Sequence, residues 1–145
     1  MDKFIIKGGE TLNGEVDISS AKNSVLPIIA ATILCGEKCT IQNCPMLLDV
    51  FVIRDLLESL GAKINIDLKS GDMEIDTSKV KAIEPDAELV RKMRGSFLIM
   101  GPMISRYGKF KISLPGGCNI GTRPIDLHLK GLKALGVDIK IGHGY

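Results

Sequence analysis

The segment Leu57-Glu58-Ser59-Leu60-Gly61-Ala62-Lys63-Ile64 recurs as Leu132-Lys133-Ala134-Leu135-Gly136-Val137-Asp138-Ile139. In each copy the end of a helix runs into a glycine and then into strand-like alternation. Working outward, Lys22-Asn23-Ser24 ahead of one apolar helix matches Met93-Arg94-Gly95-Ser96 ahead of another, and Gly36 to Ile41 matches Gly108 to Ile112. The order helix, strand, loop, helix, glycine, strand therefore occurs twice, at a period of roughly 70 residues. That period exceeds the unit of ordinary solenoids. It points to an α/β fold of duplicated subdomains packed on each other, the first covering residues 14–76 and the second 86–141.

The remaining punctuation fills in the elements. Residues 3–7 and 14–18 have the pattern of short strands, separated by Gly8-Gly9 and a turn at Asn13-Gly14. Ser19-Ser20 offers an N-cap to the apolar run from Ala21 to Cys35, and a helix starting near Asn23 tolerates Pro27 close to its first turn. Lys22 and Asn23 then stand at a helix mouth, where free backbone donors favour an anion. Cys39 to Ile41 makes a strand. Asp49 caps a second helix striped by Val50, Ile53, Leu57 and Leu60, and Ala62–Leu68 with Met73–Asp76 forms a hairpin. A third helix is expected from Asp86 to Tyr107, with Pro102 predicting a kink or break inside it. A strand at 109–114, a glycine-rich loop, a fourth helix from Pro124 to Leu135 and a strand from Val137 to Ile141 complete the pattern.

The 145 residues fit one domain, 45% hydrophobic and 25% charged, with an aliphatic core enforced by 4% aromatics and no Trp. A net charge of +2 with interspersed signs gives no electrostatic case for nucleic acid or a membrane surface. There is no signal-like leader and no apolar run of about 20 residues, so a cytoplasmic protein is expected, with Cys35, Cys39, Cys44 and Cys118 as reduced thiols. The first three cysteines lack zinc spacing, and neither His128 nor His143 is near them, so no metal is expected.

The scaffold is duplicated but one loop is not. The counterpart of Pro115-Gly116-Gly117-Cys118 is Cys44-Pro45-Met46-Leu47, which lacks the glycines. Cys118 is followed by Gly121, Arg123 and a helix opened by Pro124, and both a cation and a helix N-terminus lower a thiol pKa. A reactive or anion-handling thiol competes here with a thiol merely buried in a tight turn. The glycine spacing fits neither a dinucleotide fingerprint nor a P-loop. Arg123 has the fork to hold a phosphate or carboxylate, its alternative being a surface salt bridge. Lys22, Arg94 and Arg123 occupy comparable helix ends and could converge on one anionic ligand. Asp126 complements a helix dipole, and His128 reads as a helix-surface residue.

Ser20-Ala21-Lys22-Asn23 with Leu26-Pro27, Met93-Arg94, and Pro115-Gly116-Gly117-Cys118 through Gly121-Thr122-Arg123-Pro124-Ile125-Asp126-Leu127-His128 resemble the UDP-N-acetylglucosamine 1-carboxyvinyltransferase family of enolpyruvyl transferases. The resemblance runs from Met1 to Tyr145. It implies an inside-out α/β barrel of repeated β-α-β-α-β-β subdomains, about two of them here. It implies transfer of the enolpyruvyl group of phosphoenolpyruvate to the 3′-hydroxyl of UDP-N-acetylglucosamine, the first committed step of peptidoglycan synthesis, without metal or organic cofactor. On the family pattern Cys118 is the general acid, carries a covalent phosphoenolpyruvate adduct and is alkylated by fosfomycin. Lys22 and Asn23 would contact phosphoenolpyruvate; Arg94, Arg123, Pro124, Ile125, Asp126 and Leu127 would hold the UDP-sugar.

The family's enzymes are longer, and their second domain brings the general base. These 145 residues are accordingly expected to be part of the first domain, with residues 1–13 packing on the second, to associate with the remaining half and to be inactive alone. Three alternatives stand beside this reading: a non-catalytic UDP-sugar-binding or enzyme-associating fragment, a 3-phosphoshikimate 1-carboxyvinyltransferase, and an RNA-end-processing enzyme of similar architecture. The thiol loop argues against the second, and the balanced charge without an aromatic stacking surface against the third.

Overall fold

A computed structural model describes residues 3–116 and 125–145. The elements run α1 (Lys22–Ala31), a 3₁₀ turn (Thr32–Leu34), β1 (Lys38–Ile41), α2 (Leu48–Ser59), β2 (Lys63–Ile66), β3 (Met73–Asp76), α3 (Ala87–Lys92), a 3₁₀ segment (Arg94–Ile99), α4 (Met100–Tyr107) and α5 (Asp126–Ala134). The three strands form one sheet in the order β1-β3-β2, with β3 antiparallel to both neighbours.

Register explains the two faces of that sheet. Ile75 lies between Cys39 and Ile64, and Met73 between Ile41 and Ile66, which puts the apolar side chains on one side. Met73 and Ile75 are fully buried there. The alternate residues Lys38, Thr40, Lys63, Asn65, Glu74 and Asp76 share the opposite face, where Lys38 Nζ pairs with Glu74 at 3.0 Å. Helix α2 supplies the other half of the core. Its expected stripe is observed, since Val50, Ile53, Leu57 and Leu60 are all buried, joined by Leu56. From α1 come Val25, Leu26, Ile29 and Ala30, and from the second half Val90, Met93, Phe97, Ile99 and Met103. The core is aliphatic, as the composition requires.

Several expected elements differ. The α1 cap residue is Ala21, and Ser20 instead donates its hydroxyl to the carbonyl of Asn43 at 2.7 Å. Pro27 falls inside α1, so that helix gives up the bond residue 27 would make to the carbonyl of Asn23. Helix α2 is capped by Leu47 rather than Asp49, which lies in its first turn. The single helix expected over 86–107 is broken, but not at Pro102. The break is at Met93, an extended residue with φ −145° and ψ 134°. Pro102 sits in the first turn of α4, where its missing N–H removes no helical bond. A Cβ on Gly95 would come 3.3 Å from Leu26 and from Met93, so the new segment begins hard against α1.

The expected strands at 3–7, 14–18, 109–114 and 137–141 form no ladder. Phe4, Ile5, Ile6, Val16 and Ile18 are 87–96% exposed. Strand-like alternation is only half a strand; the other half is a partner. In the first repeat β1 and β2 do not touch each other, and both pair with β3. The stretches 109–114 and 137–141 match β1 and β2, and the described residues contain no counterpart of β3 between them. Leu114 N–H donates to the carbonyl of Gly144 at 2.9 Å, and Val137 N–H to that of Leu132 at 3.0 Å. Helix α5 begins at Asp126, two residues after the expected Pro124, and buries none of its residues.

Candidate functional site

Two helical segments open onto one cavity. Lys22 is the first residue of α1 and Arg94 the first residue after the Met93 break. The elements that start there pack on each other through Leu26 and Gly95. This brings the matching ends of the two halves side by side, as the sequence repeat proposes. The cavity has a volume of about 540 Å³ and is lined by Lys22, Asn23, Leu26, Pro27, Asp49, Arg91, Lys92, Met93, Arg94, Gly95, Phe97, Leu98, Ile125 and His128. Its size lies within the range typical of small-molecule sites, roughly 300–1,000 Å³.

Four cationic side chains, from Lys22, Arg91, Lys92 and Arg94, line the cavity with one carboxylate, from Asp49. That surplus suits an anion. Asp49 pairs with Lys22 at 2.8 Å, and Arg91 pairs with Glu88 at 2.9 Å. The apolar part of the lining includes Leu26, Pro27, Phe97 and Leu98. His128 comes from the first turns of α5 and meets Phe97 edge to face, ring centroids 5.8 Å apart at 84°. It is exposed on α5, as expected of a helix-surface histidine, and also lines the cavity.

Of the residues singled out in the sequence, Lys22, Asn23, Arg94 and Ile125 line this one cavity. Asp126 and Leu127 do not, and Leu127 is exposed on α5. Cys118, Arg123 and Pro124 lie outside the described residues. The flanks of their segment, Gly116 and Ile125, are both described, and Ile125 reaches the cavity. Asp49, Arg91 and Lys92 escaped the sequence reading. Asp49 had been assigned to capping, and nothing in the sequence marks its partner 27 positions upstream.

Two of the other cysteines, Cys39 and Cys44, are shielded thiols. Cys44 is buried, and burial pushes its thiol pKa up. Cys39 is pushed up to about 11, first by burial and then by its hydrogen bond with Cys35. Neither is prepared as a nucleophile. Among the described residues no three His, Cys, Asp or Glu side chains are grouped to hold a metal ion, and no helix is long and apolar enough to cross a membrane.

A family model described as EPSP synthase (3-phosphoshikimate 1-carboxyvinyltransferase) matches residues 6–145. The chain belongs to the EPSP synthase family. Within it, the chain is 89% identical over 145 residues to UDP-N-acetylglucosamine 1-carboxyvinyltransferase 1 of Clostridium acetobutylicum and 66% identical to UDP-N-acetylglucosamine 1-carboxyvinyltransferase 2 of Clostridium tetani. Each alignment takes in all of this chain and 35% of the relative, so the chain spans about a third of the length of these relatives. Among solved structures, the enolpyruvyl transferase NikO from Streptomyces tendae matches with a TM-score of 0.76 and 25% identity, over 94% of this chain and 29% of that one. The structural match thus covers 94% of the chain.

Proposed function

We propose that this chain is the N-terminal part of an enzyme that transfers the enolpyruvyl group of phosphoenolpyruvate to the 3′-hydroxyl of UDP-N-acetylglucosamine. The observation that carries the proposal is the cavity where Lys22, Asn23, Arg94 and Ile125 meet with a surplus of cations. The names of the relatives support the UDP-sugar over 3-phosphoshikimate as acceptor. In this reading the product enters peptidoglycan synthesis in the cytoplasm, and the further repeats close an inside-out barrel. The segments 14–76 and 86–141 are two of its subdomains, and the exposed apolar residues of segment 3–7 pack on the second domain.

The chemistry is addition followed by elimination. The thiol of Cys118 protonates C3 of phosphoenolpyruvate as the sugar 3′-hydroxyl gives its proton to the general base of the second domain and its oxygen bonds to C2. A C3 proton then leaves with the phosphate, restoring the double bond. Both substrates are polyanions, and fixed cations stabilise charge that builds on the phosphate as it departs. Lys22 and Asn23 hold phosphoenolpyruvate at the mouth of α1. Arg94 and the run Arg123-Pro124-Ile125-Asp126-Leu127 hold the UDP-sugar. Cys118 also carries the covalent phosphoenolpyruvate adduct and is the thiol open to fosfomycin.

The test is phosphate release from the two substrates by a chain of the relatives' full length carrying these residues. Parent protein should turn over, Cys118→Ala should not, and these 145 residues alone should not. Fosfomycin should add to Cys118 before Cys35, Cys39 or Cys44, read by peptide mass spectrometry. Turnover with 3-phosphoshikimate instead of the UDP-sugar, or preferential labelling of another cysteine, would overturn the reading.

A further inference from the structure

Lys22 is badly placed to hold still by itself. Its ammonium sits at the positive end of α1, whose first turn contains no acidic residue. It shares a cavity with Arg91, Lys92 and Arg94. A lysine side chain has four rotatable carbons and, half exposed as here, every reason to swing away from like charge. What restrains it is Asp49 Oδ2 at 2.8 Å.

Asp49 is itself held. It lies in the first turn of α2, where the helix dipole favours a carboxylate, and its side chain is 29% exposed. The two helix mouths are tied together just upstream, where Ser20 donates to the carbonyl of Asn43. Asn43 is anchored in turn by its N–H to Asp72 Oδ1 at 3.2 Å, and Cys44 by its N–H to the carbonyl of Gly71 at 2.7 Å. The carboxylate therefore projects from the first turn of α2 toward a lysine at the start of α1, the chain ahead of the two helices being braced by these bonds. An ammonium has three donors, so one bond to Asp49 leaves two for a ligand.

We propose that Asp49 is a positioning residue for the reaction, fixing the Lys22 ammonium at the cavity mouth with two donors turned to the anionic substrate. The proposal rests on the reading of Lys22 as the phosphoenolpyruvate contact. Asp49 makes no substrate contact in this account. It lowers the disorder that Lys22 loses on binding and offsets the repulsion of the neighbouring cations.

The experiment uses a chain of the relatives' full length with Asp49→Ala, Asp49→Glu, Lys22→Ala and the double Ala variant. Steady-state kinetics for each substrate and a thermal melt are the readouts. Asp49→Ala is expected to lower kcat/KM for phosphoenolpyruvate by more than twofold and up to about tenfold, the value of a charge-assisted hydrogen bond discounted for the half-exposed lysine. KM for the UDP-sugar should change less than twofold, the melting point should stay within a few degrees, and Asp49→Glu should recover most of the loss. The double variant should be no worse than Lys22→Ala. Asp49→Ala within twofold of the parent overturns the proposal, as does a loss shared equally by both substrates or one that tracks the melting point. If Lys22→Ala leaves phosphoenolpyruvate kinetics unchanged, the reading of Lys22 itself fails, whatever Asp49 does.

Discussion

Arg106 on α4 donates from Nη1 to the carbonyl of Ile33 at 2.8 Å, and the same nitrogen reaches the carbonyl of Thr77 at 2.9 Å. One guanidinium thus joins the second half of the chain to the end of the first helical run and to the end of β3. Ile33 and Thr77 are both fully buried, so their carbonyls have little access to water in its place. Arg106→Ala should destabilise the protein by about 1–3 kcal/mol, the cost of orphaning buried acceptors. Arg106→Lys should recover only part of that, because the guanidinium plane also packs against Gly36. Urea midpoints for the two variants check the order.

The repeat-equivalent glycines Gly61 and Gly136 separate backbone strain from steric contact. Both have positive φ, 105° and 92°. A Cβ on Gly61 would lie 2.6 Å from the carbonyl oxygen of Lys79, whereas one on Gly136 meets nothing within 4 Å. Gly136→Ala should therefore cost only the left-handed backbone penalty, about 1 kcal/mol, and Gly61→Ala about 2–4 kcal/mol because backbone must also move. Equal thermal shifts for the two would refute the steric part.

Thiol chemistry gives a pH-dependent prediction. Cys39 has its pKa raised from 9.0 to about 11 in the fold, so it stays protonated where an unfolded chain would ionise. The unfolded state then binds fewer protons between those values, and the stability this thiol supports declines from pH 9 to about 11. Iodoacetamide at pH 8 should leave Cys39 and buried Cys44 largely unmodified, and labelling of Cys39 should climb as pH approaches 11. Rapid modification of Cys39 at pH 8 in folded protein would contradict the burial argument.

The core offers a direct check on packing. Ile53 on α2 is fully buried in the cluster shared by both halves. Ile53→Ala should lower stability by about 2–5 kcal/mol, the usual cost of truncating a buried isoleucine. Ile28→Ala, at a position 51% exposed on α1, should cost much less. Paired denaturation curves decide it.

What was legible in the sequence is what local physics decides. The α2 stripe, the β2–β3 hairpin and the glycine stop at Gly61 all depend on neighbours within a few positions. The repeat carried further: of Lys22, Arg94 and Arg123, expected to converge on one ligand, the first two line the cavity and Arg123 lies outside the described residues. The failures are tertiary. Pro102 looked like the helix breaker, yet a proline in a first turn breaks nothing, and the break lies at Met93, next to the close approach of Gly95 to Leu26. Asp49 looked like a cap because a carboxylate near a helix start usually is one; its bond to Lys22 crosses between two helices. The strand patterns at 3–7 and 109–114 form no ladder, because a strand also needs a partner at the right register.

The central place of β3 has a consequence for the order of assembly. The hairpin closes a short loop between Ile66 and Met73, while β1 must wait for the chain to return from Ile41 to the same Met73. Loop-closure entropy makes the hairpin the first sheet contact and β1 the late arrival. On the ribosome, β1 emerges first yet stays without a ladder until β3 follows it out. This sheet thus assembles backwards, its last strand serving as the template for its first.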